Sequence, residues 1–179
     1  MSESNGHGKL IVENARRLIA GGALIIDTET TGLGEDDKAL EIAIVDAAGT
    51  FEFSSLIKPT CHISEAAARV HGITAEVAGA GMDAEALWPI VHLIICGSPL
   101  LAYNAAFDSR IIVQTFGPEA RDHEWHCLMN AWMEFHGLER WARLENVCHN
   151  IGVDAGGHRA LGDAKAAREV LYWLAKQEG

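Results

Sequence analysis

Positive charge is scarce in this sequence. Its 179 residues include 14 lysines and arginines against 25 aspartates and glutamates, for a formal net charge of −11 at pH 7. Proteins that hold duplex nucleic acid through many phosphate contacts need a broad basic surface. The acidic balance argues against that class, and any contact with nucleic acid is expected to be small and mediated by metal ions.

Cysteine is also scarce. The four cysteines are widely spaced and form no CxxC pair: Cys61, Cys96, Cys127 and Cys148. This spacing excludes a disulfide framework and favours reduced, partly buried thiols. We therefore expect no cysteine chemistry.

Long apolar runs are missing as well. The longest, residues 86–97, is interrupted by Pro89 and His92, and it is shorter than the roughly 18 apolar residues that a membrane span requires. Residues 1–8 are polar and lack the basic region and apolar stretch of a secretory signal, so we expect a loose lead-in there. The sequence thus predicts no membrane segment and a cytoplasmic location.

The residues that are present predict a folded α/β protein. Hydrophobic residues make up 49% and charged residues 22% of the chain, as in soluble globular proteins with one substantial core. Apolar spacing predicts strands at residues 23–27, 39–46, 50–57, 99–103 and 124–128. It predicts helices at 9–20, 105–116, 130–138, 143–152 and 160–176, with two or three more within 64–97. A meander followed by alternating strands and helices favours a mixed five-stranded sheet with helices on both faces.

Two acidic residues end the first predicted strand. Asp27 and Glu29 are two positions apart, so along a strand both side chains point to one face, about 7 Å apart at the backbone. Ligands usually bind at the carboxyl ends of strands in α/β sheets. One metal ion could contact both carboxylates, although an acidic pair can also simply cap a turn.

Further acidic residues begin two later helices. Asp108 lies four residues after Asn104, the expected N-cap, and so projects from the first helical turn toward the end of the preceding strand. Asp163 occupies the first turns of the last helix, and His158 follows two glycines in the loop before it. A base and a metal ligand could meet there. Taken singly, Asp108 could be a favourable charge at a helix N-terminus and His158 an ordinary surface histidine.

Three stretches together resemble the DnaQ-like exonucleases of the histidine (DEDDh) subclass, in the ribonuclease H-like superfamily. They are DTETTGL at residues 27–33, YNAAFD at 103–108 and HRALGDA at 158–164. The resemblance covers nearly all of residues 23–174. A fourth stretch, RVHGIT at 69–74, is similar to the segment that borders the terminal nucleotide in that family.

The resemblance implies a set of site residues and a cofactor. The four metal-binding acids would be Asp27, Glu29, Asp108 and Asp163, and His158 would be the general base. Oxygen ligands of this kind suit two Mg²⁺ or Mn²⁺ ions, which stabilise the charged transition state of phosphodiester hydrolysis. Four further residues are expected to border the pocket for the terminal nucleotide: Thr28, His71, Ile73 and Asn104.

The expected function is a 3′-to-5′ exonuclease that releases nucleoside 5′-monophosphates from single-stranded DNA ends, in proofreading or repair. Residues 1–20 would form an N-terminal lead-in and helix, and residues 21–179 a single exonuclease domain. An exoribonuclease that trims RNA 3′ ends would use the same five residues, because sugar choice depends on contacts to the 2′ position. A non-catalytic, polymerase-associated interaction subunit is an alternative of another class, and association as a homodimer is also open.

Two other residue groups deserve a chemical interpretation. Histidines and cysteines near residues 123–127 and 148–149 could be read as a zinc site, but their spacing misses the usual paired-ligand patterns. The five tryptophans are expected mainly in the core. Trp141, which lies close to Arg140 and Arg143, is the exception that could stack on a base.

Overall fold

The computed structural model describes residues 3–178, which form one sheet and a set of surrounding helices. The strands are β1 (Leu24–Thr30), β2 (Ala39–Asp46), β3 (Glu52–Leu56), β4 (Leu100–Ala102) and β5 (Trp125–Cys127). The α-helices are α1 (Glu3–Ala20), α2 (Glu65–His71), α3 (Ala75–Gly79), α4 (Ala84–Ile95), α5 (Ala105–Phe116), α6 (Leu128–His136), α7 (Leu144–Ile151) and α8 (Ala160–Lys176). Within these residues no helix combines the length and apolar character needed to cross a bilayer.

The sheet has the order β3-β2-β1-β4-β5. Strands β1, β2 and β3 form an antiparallel meander, whereas β4 runs parallel to β1 and β5 parallel to β4. The carboxyl ends of β1, β4 and β5 therefore meet at one edge. The predicted mixed five-stranded sheet is confirmed.

Helices cover both faces of the sheet, as expected. Alternate side chains of β1 divide between two cores, with Ile25 on one face and Leu24 and Ile26 on the other. Helices α1, α6, α7 and α8 pack on the Ile25 face. Helices α4 and α5 pack on the opposite face. Strands β2 and β4 are almost continuously apolar and are buried on both sides of the sheet.

The N-terminal helix begins earlier than predicted. It starts at Glu3 rather than near Lys9, so the part of the expected loose lead-in that the structure describes is helical, while residues 1–2 lie outside the described range. Extending a helix that is already packed adds one hydrogen bond for each residue fixed, so a polar segment can join it. Ile11, Ala15 and Leu18 of this helix belong to the core on the Ile25 face.

Candidate active site

Three carboxylates converge at the end of β1. Asp27 and Glu29 share the parity of Ile25 and therefore face α8, which packs against β1 and β2. Asp163 lies in the first turn of α8. Asp27, Glu29 and Asp163 each offer a carboxylate oxygen within 4.8 Å of those of the other two. The predicted pairing of the β1 acids with the acid of the last helix is thus present in space.

Asp108 approaches β1 from the opposite face. It lies in the first turn of α5 and is buried. The Thr28 hydroxyl, on the α5 face of β1, donates a hydrogen bond of 2.9 Å to Asp108 Oδ1. Asp108 is therefore outside the group of three, but it lies near enough for its charge to act on Asp27.

Burial and mutual repulsion make these acids hard to ionise. Burial, followed by the charges of Asp108 and Asp163, holds the pKa of Asp27 well above its ordinary value. Burial and then the Asp163 charge raise the pKa of Glu29 to about 8. Burial raises the pKa of Asp108 to about 7 and that of Asp163 to about 6. The site is consequently poised to exchange protons for cations.

The donor set fits divalent cations. In the described part of the chain, no lysine or arginine forms an ion pair with any of the four acids. Asp163 Oδ1 is buried and has no hydrogen-bond partner. An unsatisfied buried carboxylate oxygen is costly unless a cation meets it. Oxygen ligands of this kind are those that Mg²⁺ and Mn²⁺ prefer.

The raised pKa values predict how stability depends on pH without metal. Because Glu29, Asp108 and Asp163 have higher pKa values folded than unfolded, the folded protein binds more protons, and the free energy of unfolding falls as pH rises from about 4 to 8. Differential scanning calorimetry in EDTA should show Tm falling over this range, and Mg²⁺ or Mn²⁺ should restore it at pH 8. Glu29→Gln should flatten the dependence. A wild-type Tm that changes with neither pH nor metal would contradict the raised pKa values of these acids.

The loop before α8 brings His158 beside Asp163. Gly156, Gly157 and His158 all adopt positive φ, and His158, at 57°, is the one non-glycine residue with this backbone among residues 3–178. Its side chain is about half exposed, and Nε2 lies 2.9 Å from Glu145 Oε1. Burial raises the pKa of Asp163, and a backbone hydrogen bond from His158 offsets part of that rise. The predicted proximity of histidine and acid is therefore present, with Glu145 as an additional partner.

Close backbone packing positions Asp163. A Cβ added at Gly156 would overlap the backbone of Gly162 and Asp163 as well as the Asp163 carboxylate. The two glycines thus let the His158 loop lie directly against the first turn of α8. Nothing in the sequence pattern indicates this contact, because it depends on the path of the loop.

Gly156→Ala should therefore destabilise the protein by about 2–4 kcal/mol, since it adds a backbone clash to a positive φ, and should reduce activity through displacement of Asp163. Gly157→Ala is the matched control, because Gly157 has a φ of 76° but no atom within 4 Å of an added Cβ. Its expected cost is about 1 kcal/mol. Urea unfolding of the two variants gives the comparison, and equal losses would show that the clash is relieved by movement of the loop.

An ion pair between a buried glutamate and a half-exposed arginine anchors the start of α8, and the sequence pattern does not indicate it. Glu41, on β2 opposite Glu29, accepts bonds from Arg159 Nη2 at 2.6 Å and Nε at 3.0 Å, and from Ala160 N at 3.1 Å. The contact with Arg159 is bidentate, and the same carboxylate satisfies the free backbone N–H of Ala160 at the helix terminus. It fixes the helix that carries Asp163 relative to β2.

The residues predicted to border a terminal nucleotide occupy different environments. Asn104 lines a cavity of about 630 Å³ that Asp163 and His158 also line. His71 and Ile73 are buried instead: His71 Nε2 lies 3.1 Å from the Thr30 carbonyl oxygen, and Ile73 N–H donates to His71 Nδ1 at 2.9 Å. Contact of these residues with a nucleotide remains a prediction.

The histidines and cysteines do not form a second metal site in the described residues, where the acid group at β1 is the one cluster with suitable geometry. His123 lies against the ring of His92, with centroids 6.3 Å apart. His126 Nε2 lies 3.1 Å from Glu124 Oε1. The structure therefore offers no support for the zinc interpretation.

The sheet order, the helices on both faces and the acids at the end of β1 define a ribonuclease H-like nuclease. More specifically, the chain belongs to the DnaQ-like exonuclease family, since the Exonuclease family model matches residues 24–171. The chain is 31% identical to an uncharacterized exonuclease, CP81, of Escherichia phage 186, over 93% of this chain and 94% of the phage protein. The predicted family, exonuclease class and fold are thereby confirmed.

Other relatives are longer proteins that this chain matches in part. It is 31% identical to a DNA polymerase III subunit epsilon-like protein of Rhodobacter capsulatus, over 84% of this chain and 23% of that protein. The crystal structure of E. coli Exonuclease I in complex with a dT13 oligonucleotide superposes with a TM-score of 0.76 at 20% identity, over 87% of this chain and 41% of that one. At this identity the likeness concerns the fold. The chain thus spans less than half of these longer proteins.

Proposed function

We propose that this protein is a 3′-to-5′ exonuclease that releases nucleoside 5′-monophosphates from single-stranded DNA ends with the help of two Mg²⁺ or Mn²⁺ ions. The observation that carries the proposal is the convergence of Asp27, Glu29 and Asp163 with ligand oxygens within 4.8 Å of one another. Asp108 completes the acidic set from the opposite face of β1. Family membership supports this reading, because it connects the chain to exonucleases over residues 24–171.

Each residue has a distinct role in the proposed reaction. Asp27, Glu29 and Asp163 would hold the ions. Asp108 would add negative charge beside Asp27, and the hydrogen bond from the Thr28 hydroxyl would fix the Asp108 carboxylate. The bound ions would supply positive charge to the attacking and leaving oxygens of the phosphodiester. His158 accepts a proton from the water that attacks phosphorus. The 3′ oxygen of the preceding nucleotide leaves, so the terminal nucleotide departs with a 5′-phosphate.

Single-stranded DNA is the proposed substrate. The chain is strongly acidic, which disfavours extended contact with duplex backbones, and the cavity beside the acids is open to a terminal segment. The DNA of the Exonuclease I complex supports DNA over RNA by analogy of fold. Relatives named as DNA polymerase III proteins make association with a polymerase a second candidate role, which would accompany catalysis.

The position of a label in the substrate tests this proposal. Purified protein with Mg²⁺ or Mn²⁺ is incubated with single strands of DNA or RNA labelled at either end. A 3′ label should appear at once as a nucleoside 5′-monophosphate, and a 5′ label as a ladder of shortening strands, with neither in EDTA. Early release of the 5′ label would reverse the polarity. Faster degradation of RNA than of DNA would favour an exoribonuclease. No cleavage of either polymer would contradict the proposal and favour a non-catalytic interaction subunit.

A further inference from the structure

The loop between α6 and α7 exposes an aromatic side chain beside the acid site. Trp141 is 61% exposed, whereas the other four tryptophans are buried or partly buried. It lines the same cavity of about 630 Å³ as Asn104, His158 and Asp163. Its position at the wall of this cavity makes the ring accessible to a ligand bound beside the acids.

The loop that carries Trp141 is anchored to the edge of the sheet. The Tyr103 hydroxyl donates a hydrogen bond of 2.5 Å to the carbonyl oxygen of Ala142, the residue after Trp141. Tyr103 directly follows β4 and precedes Asn104. Burial raises the pKa of Tyr103, so its hydroxyl remains a donor at physiological pH. The backbone at Trp141 is therefore held at a fixed place relative to the acids, as a preformed binding surface requires.

Positive charge accompanies the exposed ring. Arg140 and Arg143 flank Trp141, and both are exposed. Within residues 3–178 neither arginine makes an ion pair or a side-chain hydrogen bond, although the chain has 25 acidic residues. Arg143 also lines the cavity. Unpaired arginines beside an exposed aromatic ring are suited to phosphates and bases of a single strand.

We propose that Trp141 stacks on a base of the unpaired 3′ end and that Arg143 contacts its backbone phosphate, so that this loop selects single strands. The inference rests on the proposed exonuclease function and adds the residues that would select its single-stranded substrate. Stacking uses the flat face that every base presents, so the site tolerates any sequence. A base held in a duplex cannot offer that face, and paired ends are therefore disfavoured.

Trp141→Ala should raise KM for a short single strand by about tenfold, the equivalent of about 1.4 kcal/mol of stacking. Trp141→Phe, which keeps an aromatic ring, should retain most of the affinity. Hydrolysis of a strand in which every sugar is abasic, a phosphodiester without a base or any other aromatic ring, should be unchanged in both variants. An unchanged KM for the strand would overturn the proposal, and so would an equal loss on the base-free diester, because a structural role would affect both substrates. Tm should stay at the wild-type value.

Strands with a single abasic nucleotide at each of the last few positions provide the matching change in the substrate. If Trp141 stacks on one base, removing that base should weaken binding to the wild type as much as Trp141→Ala weakens binding of the intact strand. Combining the abasic strand with Trp141→Ala should then cause no further loss of affinity. Additive losses at every position would exclude stacking on Trp141. Arg143→Gln should weaken binding and lower the salt dependence by about one charge.

Fluorescence anisotropy of a labelled strand in the presence of Mn²⁺ separates this inference from the proposed function. If the wild type cleaves neither the strand nor the base-free diester, the exonuclease proposal fails. In that case weaker binding of the strand by Trp141→Ala than by wild type would support the stacking proposal, and equal binding would overturn it.

Discussion

Asp27→Asn is expected to reduce kcat for a single-stranded substrate by at least about 10³-fold, a loss of about 4 kcal/mol in transition-state stabilisation. Asp27 lies in the group of three converging acids, and its ionisation is opposed by burial and by four neighbouring carboxylates. An amide of the same shape cannot supply the negative charge that holds cations. The same substitution should raise Tm at pH 8 in EDTA, because it removes a source of repulsion. Initial rates at saturating Mn²⁺ and calorimetry measure the two effects.

Asp36→Asn is the matched control for this variant. It makes the same chemical change at an exposed position in the loop after β1, and it should leave both kcat and the metal-free Tm at their wild-type values. Near-normal kcat in Asp27→Asn would show that the reaction does not depend on the acid cluster. A reduced metal-free Tm would show that the carboxylate of Asp27 stabilises the fold rather than straining it.

His158→Asn should lower kcat by about 10²- to 10⁴-fold, the range expected when a general base is removed. Asparagine is chosen because it tolerates the positive φ of 57° at this position better than most residues. The backbone of the loop, and with it the place of Asp163, should therefore be preserved. Mn²⁺ binding should stay close to wild type, and a single-turnover measurement then isolates the chemical step.

Glu145→Gln separates positioning from proton transfer. Glu145 contacts His158 Nε2 at 2.9 Å, so the neutral variant should loosen the histidine and give a smaller loss of kcat than His158→Asn.

Two outcomes would contradict the role of His158 as general base. A His158→Asn enzyme that turns over at the wild-type rate would show that the histidine takes no part in the reaction. Loss of Mn²⁺ binding in that variant would instead assign His158 to the metal site.

The helices that carry the acids could be placed from the sequence alone. The observed bounds of α5 and α8 agree with the predicted 105–116 and 160–176, because strong apolar spacing of 3.6 residues specifies both. Strand parity likewise predicted that Asp27 and Glu29 share a face. The start of α1 was misplaced, since residues 3–8 give no apolar signal and join the helix by extension. Apolar spacing indicates which face of a helix is buried, but it does not indicate where a helix with a polar terminal segment begins.

Contacts between distant parts of the chain could not be predicted in this way. Glu41 and Arg159 are 118 residues apart, and nothing in β2 indicates that its one buried acid anchors α8. The close approach of Gly156 to Gly162 depends on the path of a loop. The burial of His71 depends on its bonds to the Thr30 carbonyl and to its own turn. Such features require the tertiary structure.

Binding of Mn²⁺ to the metal-free protein tests the proposed metal site most directly. Electron paramagnetic resonance, in the presence of a nucleoside 5′-monophosphate, should count about two ions per wild-type chain, with protons released at pH 7 because the acids have raised pKa values. Asp27→Asn should bind fewer ions or bind them far more weakly. Wild-type protein that binds no Mn²⁺, or an Asp27→Asn variant that binds it as tightly as wild type, would contradict a metal-dependent mechanism at this cluster.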